Sequence, residues 1–348
     1  MVVFKVFKGG ITMYKDERIK AVLDGKEPDR IPCSVWMHMS KVDQDPVSLA
    51  EALVEFNKEY DFDFIKLMPF GAYSTQDWGC KIEFYCTPYK EPIVVRHAIQ
   101  CLDDYDRINC LGATYGTWGK TLSIVDHVAR LVDSHTPYLQ TIFSPATTLR
   151  KLAGARVFKD MKEHPEKVHK ALEAITETTI NFVKANVEKG VSGFFFATQT
   201  ATYDFLDDVM YAEFCKTYDH RVIQEYCDKT WFNVMHVHGS NIMFDVVKNY
   251  PCNCLNWHDR DTKPSLKEAR EVTDKALLGG IMEVPHITEH GLVYESFLGT
   301  KTPDEVIKHV HEAIDSVDGK GLIIGPGCVC DPKTSKENLH AVRTAVNR

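Results

Sequence analysis

The sequence predicts a single (β/α)8 barrel, in which eight parallel strands alternate with helices. Three observations support this prediction: eight short apolar runs, a helical pattern after most of them, and a length of 348 residues without a linker or an internal repeat. Apolar runs without clean alternation are typical of parallel strands buried on both faces, and eight βα units in one chain favour a closed barrel. A doubly wound open sheet is the alternative, but no glycine-rich phosphate loop follows the first strand.

We interpret residues 1–12 as an extension and residues 13–348 as the barrel domain. Apolar residues recur at helical spacing from Met13, which we take as the functional start, so a helix precedes the first strand. Two short runs, 81–85 and 92–96, have the pattern of a small hairpin. The sequence therefore predicts an N-terminal helical extension and a small insertion after strand two.

The bounds of the predicted strands follow the apolar runs and the turn residues beside them. The strands cover residues 31–36, 64–68, 137–143, 191–197, 232–238, 252–257, 277–282 and 321–325. The longest predicted helix begins at about His164 and stops at Gly190, because glycine commonly follows the last turn of a helix. The other helices are predicted over residues 48–60, 211–229, 242–250, 265–274, 302–317 and 335–346.

The composition predicts a cytoplasmic globular protein that binds neither nucleic acid nor membrane. The formal net charge is −8, whereas nucleic acids and anionic membranes select basic surfaces. No apolar stretch reaches the length of a membrane span, and the N-terminus lacks the pattern of a signal peptide. The 11 cysteines are spread through the chain, as expected of reduced thiols. The sequence does not fix the oligomeric state, and a homodimer is the assembly that we consider.

Two predicted strands end in residues that bind metals. The fifth strand ends in His236, Val237 and His238. Successive side chains of a strand alternate between its faces, so the two histidines point the same way. The eighth strand is followed by Cys328. Two histidines and one cysteine leave a tetrahedral zinc ion with one open position, which is the pattern of a catalytic site.

Other interpretations of these residues remain open. A His-x-His pair at a strand end is often a pair of hydrogen-bonded side chains, and a reduced cysteine is often simply buried. Cys330 is an alternative sulfur ligand to Cys328, because it lies two residues further along the chain. Which of the two sulfurs binds the metal is not fixed by the sequence.

Polar and bulky residues accumulate at the carboxyl ends of the other predicted strands, where barrel enzymes keep their catalytic residues. These ends carry Trp36, His38, Met68, Gln199, His258 and Glu283. Core packing does not require polar residues at these positions, so the pattern favours a metal site at the mouth of the barrel. Pairing of Glu283 with Arg260 or a histidine is the alternative to a catalytic role.

Several short motifs follow one another in a fixed order between residues 13 and 348. They lie at residues 18–32, 63–68, 236–239, 256–259, 279–283, 321–328 and 337–339. In this order they resemble the uroporphyrinogen decarboxylase superfamily, including its corrinoid-linked, zinc-dependent methyltransferase branch. The resemblance implies the barrel that the apolar runs predict.

This chain differs from the sequence patterns of both branches of the superfamily, and the differences indicate which branch it resembles more. The decarboxylases resemble one another in an arginine-rich stretch after the first strand, whereas residues 34–40 contain no arginine. A substrate with many carboxylates needs several cations, so we do not expect a porphyrinogen substrate. The methyltransferases have His-x-Cys after strand five, and this chain matches His236 and Cys328 but carries His238 instead of the first cysteine. One thiolate leaves zinc more positive than two, which favours activation of a weak oxygen ligand.

The resemblance implies a zinc-dependent methyltransferase. It would move a methyl group between a small molecule, preferably an O-methyl donor such as a methoxylated compound, and a corrinoid. The chain has no Asp-x-His-x-x-Gly motif, so a separate corrinoid protein is expected to carry the cobamide. His236, His238 and Cys328 would bind zinc, and Glu283 and His258 would handle protons or support the ligands. The substrate pocket would be formed by Trp36, His38, Met68, Tyr73 and Gln199.

Three other functions are consistent with the same residues. A methylcobamide:thiol methyltransferase would pass the methyl group to a coenzyme thiol, and His238→Cys should improve it. A metal-free decarboxylase or lyase would use His236 or His238 as a general acid, and its activity would survive a chelator. A catalytically inactive corrinoid-binding or chaperone-like subunit is the alternative outside enzymology, although inactive sites usually lose the polar groups that are present here.

Overall fold

A computed structural model describes residues 6–7, 10–282 and 296–347, and its central feature is a sheet of seven parallel strands. Neighbours in this sheet follow the order of the chain, so each strand pairs with the strands before and after it. The strands are Ile65–Lys66, Tyr138–Phe143, Gly193–Thr198, Val234–Val237, Cys254–Trp257, Ala276–Ile281 and Leu322–Pro326. Their side chains are buried almost throughout, as expected of strands covered on both faces.

The sheet closes into a barrel through a short segment around Cys33. Cys33 forms a parallel bridge with Ile324 of the last strand, and the amide of Ser34 donates to the carbonyl of Ile324. On the other side, the amide of Asp63 donates to the carbonyl of Cys33 at 2.8 Å. The predicted (β/α)8 barrel is therefore confirmed, although its first position is this short bridge rather than the predicted strand over 31–36.

A buried ion cluster holds the closing segment in place. Asp63 is fully buried, and its carboxylate accepts hydrogen bonds from Arg18 at 2.6 Å, from Arg30 at 2.7 and 2.9 Å and from the backbone amide of Cys33 at 2.7 Å. A buried carboxylate is tolerated because the two guanidinium groups compensate its charge. Arg18, Arg30 and Asp63 belong to the motifs that carry the family resemblance, and the structure gives them a structural role.

Helices cover the outside of the barrel and follow most of its strands. Many begin at a residue that accepts a hydrogen bond from the first turn, such as Thr302 and Ser335. No helix of the described residues is both long enough and apolar enough to cross a bilayer. The α-helices are Lys15–Leu23, Pro46–Tyr60, Gly116–Leu131, Pro145–Ala153, Val157–Glu163, Pro165–Glu188, Asp208–Tyr211, Thr217–Gln224, Phe244–Val247, Leu266–Arg270, Phe297–Thr300, Pro303–Ser316 and Lys336–Ala345.

Shorter elements complete the chain between the strands. The hairpin predicted after strand two is present, because Lys81–Glu83 pairs with Ile93–Arg96 in an antiparallel manner. Near the N-terminus, Val6–Phe7 pairs with Gly10–Ile11. One π-helical turn and three 3-10 helices lie between the larger elements: Ala212–Lys216, Tyr73–Trp78, Leu102–Arg107 and Gly154–Arg156. The α-helices Gly116–Leu131 and Pro145–Ala153 were not expected from the apolar pattern.

Replacement of the buried carboxylate tests the closing cluster. Asp63→Asn removes the carboxylate that pairs with Arg30 and leaves Arg18 with Asp29 as its remaining partner, so we expect the free energy of unfolding to fall by about 3–5 kcal/mol, as for other broken buried pairs. Asp61→Asn is the matched control, because Asp61 is an exposed partner of Arg343 and such pairs contribute at most about 1 kcal/mol. Urea denaturation followed by circular dichroism measures both changes. Equal losses in the two variants would contradict the assigned role.

Candidate metal centre

Four metal-binding side chains meet at the carboxyl ends of three barrel strands. Two of them come from the end of the fifth strand, one follows the sixth and one follows the eighth. One ligand atom from each side chain lies within 4.8 Å of the ligand atoms of all the others. The four residues are His236, His238, His258 and Cys328. The structure thus brings together the three predicted ligands and adds His258, which the sequence predicts as a proton-handling group.

The separations within this cluster match those of ligands around one ion. His238 Nδ1 lies 3.1 Å from His258 Nε2 and 3.5 Å from Cys328 Sγ. Ligands of tetrahedral zinc lie about 3.3 Å apart for two nitrogens and about 3.6 Å apart for nitrogen and sulfur, from the usual bond lengths. A hydrogen bond would explain the short distance in either of these two pairs. It would not require the ligand atoms of all four side chains to lie close to one another, whereas a shared metal ion would. Cys330 is not among the four convergent side chains; it is buried, and its amide donates to the carbonyl of Trp36.

Asn256 fixes the orientation of His236. Asn256 is fully buried, and its amide nitrogen donates to the carbonyls of Leu278 at 2.8 Å and Pro326 at 3.0 Å. Its side-chain oxygen lies 2.6 Å from His236 Nδ1 and therefore accepts the hydrogen of that nitrogen. The Nε2 atom of His236 is left unprotonated and available as a ligand. Support of this kind from a second residue is typical of histidines that bind metals.

The surroundings of His236 keep its imidazole neutral. Burial lowers the pKa of His236 well below its usual value, and the neighbouring His238 and His258 lower it further. The ring also lies against Phe195, with 5.2 Å between the ring centroids. Because metals bind the neutral form of imidazole, this environment favours metal binding over protonation.

Three of the predicted pocket residues lie near a buried ammonium group inside the barrel. The sulfur of Met68 lies 2.7 Å from Lys66 Nζ, and the ring of Trp36 has its centre 5.9 Å from the same atom. His38 lies 3.3 Å from Glu91, measured from Nε2 to the carboxylate, and Lys66 is among the charges that interact with it. Burial lowers the pKa of His38 to about 3. These three residues remain predicted substrate contacts.

The other predicted site residues are placed differently. Tyr73 is fully buried, its hydroxyl donates to the carbonyl of Thr141 at 2.9 Å and its ring packs against Trp118. These are contacts with the protein core rather than with a pocket. Gln199 follows the fourth strand and lines a separate cavity beside the barrel mouth. Glu283, the other predicted catalytic group, lies outside the described residues.

Lys66 is a buried cation that was not singled out from the sequence. It is 6% exposed, and its ammonium lies 4.5 Å from the centre of the Phe195 ring, which also contacts His236. Its hydrogen-bond acceptor among the described residues is the thioether of Met68. Burial lowers the pKa of Lys66 to about 7. A lysine inside an apolar strand was the available signal, because such a cation is costly to bury and often marks a functional site.

The barrel and the cluster at its mouth define an enzyme with a candidate metal centre at the usual position of barrel active sites. The sequence profile of the uroporphyrinogen decarboxylase (URO-D) family matches residues 14–348. The chain belongs to this family. The family resemblance seen in the sequence motifs is confirmed.

Curated relatives lie in the corrinoid-linked branch. Two proteins named methylcobamide:CoM methyltransferase MtbA, from Methanosarcina acetivorans and Methanosarcina mazei, are 20% and 19% identical over 337 and 338 residues, and each alignment covers 93% of this chain and 94% of the relative. A methylated-thiol–coenzyme M methyltransferase from M. mazei is 24% identical over 225 residues, which are 63% of this chain and 55% of the relative. The predictions of an enzyme and of the methyltransferase branch are confirmed.

Solved structures share the fold. A methyltransferase from M. mazei superimposes with a TM-score of 0.75 at 19% identity and covers 96% of this chain and 98% of its own. A B12-independent methionine synthase from Shewanella sp. W3-18-1 gives a TM-score of 0.55 at 11% identity, with coverages of 90% and 92%. At these identities the likeness is one of fold, and it agrees with the barrel described above.

The pH dependence of the Tm of Lys66→Met tests whether the ammonium of Lys66 is buried. Burial lowers the pKa of Lys66 from 10.5 to about 7. Between pH 7 and pH 10.5 the unfolded chain therefore binds more protons than the folded protein. The free energy of unfolding of the wild type consequently rises with pH in this range. We expect Lys66→Met to have a higher Tm than wild type at pH 7, and this advantage to shrink towards pH 10. Lys159→Met, at an exposed lysine, is the control and should show no such trend. A Tm difference that does not change with pH would contradict the burial of a charged ammonium.

Proposed function

We propose that this protein is a zinc-dependent methyltransferase that moves a methyl group between a small molecule and a corrinoid carried by a separate protein. The observation that supports the proposal most directly is the convergence of three imidazoles and one thiol at the barrel mouth. The corrinoid link rests on the relatives, whose names specify methylcobamide as a substrate. A separate carrier is proposed because the chain has no Asp-x-His-x-x-Gly motif.

The residues of the candidate centre fit zinc. Imidazole nitrogen and cysteine thiolate are preferred zinc ligands, whereas magnesium and calcium require oxygen ligands, and the described residues contribute none to the cluster. We assign His236, His238 and Cys328 as the three ligands, as the sequence predicts. His258 is assigned as an exchangeable fourth donor, because catalytic zinc sites combine three protein ligands with one position open to substrate.

The chain's own residues provide the environment of the reaction. Zinc held by one thiolate and neutral imidazoles keeps a net positive charge, and it would supply Lewis acidity to the heteroatom that gives up the methyl group. Asn256 holds His236 in the ligand orientation. Phe195 lies against the His236 ring and Trp36 lies against Phe195, so buried apolar rings line this side of the centre. The ammonium of Lys66 lies 4.5 Å from the centre of the Phe195 ring, which also contacts His236, and we assign it to stabilise negative charge on the departing group.

The residue at position 238 decides between the two candidate substrates. A histidine there, in place of a second thiolate, favours a methoxylated donor, because the more positive zinc activates a weak oxygen ligand better. The second candidate is transfer to a coenzyme thiol, and the names of the relatives favour it. We prefer the O-methyl donor because the difference in donor set belongs to this chain itself.

Metal analysis of the purified protein tests the proposed centre. We expect about one zinc per chain in wild type, and loss of zinc in His236→Ala and Cys328→Ala, because each removes one of three ligands. His258→Ala should keep its zinc. Asn256→Ala keeps all the ligands, so its zinc affinity, measured by competition with a chelator, should fall by about 10–100-fold. Stoichiometric zinc in both His236→Ala and Cys328→Ala would end the proposal.

A second experiment distinguishes between the two candidate substrates, a methoxylated compound and a coenzyme thiol. His238→Cys should still bind zinc, but its second thiolate lowers the positive charge of the centre. We therefore expect slower demethylation of a methoxylated compound, measured as formation of a methylated corrinoid by its absorbance. Transfer from methylcobamide to a thiol serves as the comparison reaction. A variant that is faster in the thiol reaction and unchanged in the oxygen reaction would favour the second candidate.

A further inference from the structure

A cavity of about 440 Å³ beside the barrel mouth has a cationic lining. Its described lining contains no carboxylate, although the chain as a whole has a formal net charge of −8. A cavity of this composition attracts anions. The polar and aromatic residues that line it are His97, Arg150, Lys151, Gln199, Phe158 and Phe205.

Arg150 has unused hydrogen-bond donors in this cavity. Its Nη1 atom donates to the carbonyl of Gln199 at 3.1 Å, and its guanidinium lies 4.4 Å from the centre of the Phe205 ring. Among the described residues, no carboxylate lies within 4.0 Å of it. A guanidinium has five N–H donors in a planar fork that matches a carboxylate or phosphate. Arg150 is therefore suited to bind an anion that is not part of the chain.

Lys151 continues the cationic lining towards Phe143, at the end of the third strand. Its ammonium donates to the carbonyl of Gly71 at 2.9 Å and lies 4.4 Å from the centre of the Phe143 ring. Burial lowers the pKa of Lys151 to about 8, the charge of Arg150 lowers it further, and the charges of Glu91 and Cys328 act in the opposite direction. Lys151 thus adds a second cation to the lining, next to Arg150 in the chain.

The cavity and the centre also share a backbone connection. Gln199 directly follows Thr198, and the carbonyl of Thr198 accepts a hydrogen bond from the amide of His238 at 2.9 Å. The fourth and fifth strands are paired at this point, with Ala197 opposite His236. A small molecule bound in the cavity would therefore lie beside the strand ends that carry the candidate ligands.

We propose that this cavity binds an anionic group of the substrate, a carboxylate, phosphate or sulfonate, attached to a flat apolar body. The proposal rests on the function proposed above and names a substrate class for the same site. Arg150 pairs with the anion. Phe158 and Phe205, stacked with 4.9 Å between their centroids, provide the apolar wall. The methyl group would then be carried by the part of the substrate that reaches the candidate centre.

Binding of benzoate and of its neutral isostere benzamide tests the cavity without a measurement of activity. Calorimetry on the full-length protein at constant ionic strength should show tighter binding of benzoate. Arg150→Met should weaken benzoate binding by about ten-fold, the effect of one lost charge-assisted hydrogen bond, and leave benzamide unchanged. Arg150→Lys should recover part of the preference. Lys159→Met, at the exposed lysine of the next helix, is the matched control. If Arg150→Met does not fold, Lys151→Met takes its place.

Three results would overturn the proposal. They are equal affinity of wild type for benzoate and benzamide, benzoate binding that is unchanged in the cavity variants, and Arg150-dependent binding of cobalamin without binding of benzoate. The last would assign the cavity to the phosphate of the corrinoid. Zinc content is measured on the same samples. A benzoate preference in a protein that binds no zinc contradicts only the proposed function, whereas stoichiometric zinc without the preference contradicts only the anion site.

Discussion

The side chain of Asn256 connects the candidate centre to the barrel. Asn256 lies on the sixth strand, its nitrogen bonds to carbonyls of the seventh and eighth strands, and its oxygen accepts from His236 on the fifth. One buried amide thus links four neighbouring strands, three of which carry the candidate ligands at their ends. A lost partner could not be replaced by water at this position, so these hydrogen bonds fix both strand position and imidazole tautomer. The His236 imidazole is therefore held in place by three strands of the sheet besides its own.

The regular part of the fold could be predicted because buried parallel strands appear in the sequence as short apolar runs. The strand Tyr138–Phe143 and the helix Pro165–Glu188 agree with their predicted bounds to within two residues. The helices Gly116–Leu131 and Pro145–Ala153 could not be predicted in this way. The first contains glycines, which disfavour helix, and the second buries two threonines where an apolar pattern needs aliphatic residues. Tertiary packing, rather than local pattern, makes these segments helical.

The part of the candidate site that could be predicted depends on how successive side chains of one strand alternate between its two faces. His236 and His238 share a face for that reason alone, and Cys328 follows a strand of the same barrel. The approach of His258 to His238 depends on how the fifth and sixth strands lie beside each other, which the sequence does not encode locally. The cavity around Arg150 likewise requires a helix and a loop that are distant in the chain to meet. Such convergence is a property of the folded barrel.

The ion cluster of Arg18, Arg30 and Asp63 lies at the opposite end of the barrel from the metal-binding side chains, because Asp63 precedes the strand Ile65–Lys66. The side chains that close the barrel and the candidate metal ligands are thus separate sets of amino acids. A substitution among the candidate ligands, such as His238→Cys, leaves the residues of this ion cluster unchanged. This separation makes the lineage evolvable, since new chemistry can be explored without the loss of a folded protein.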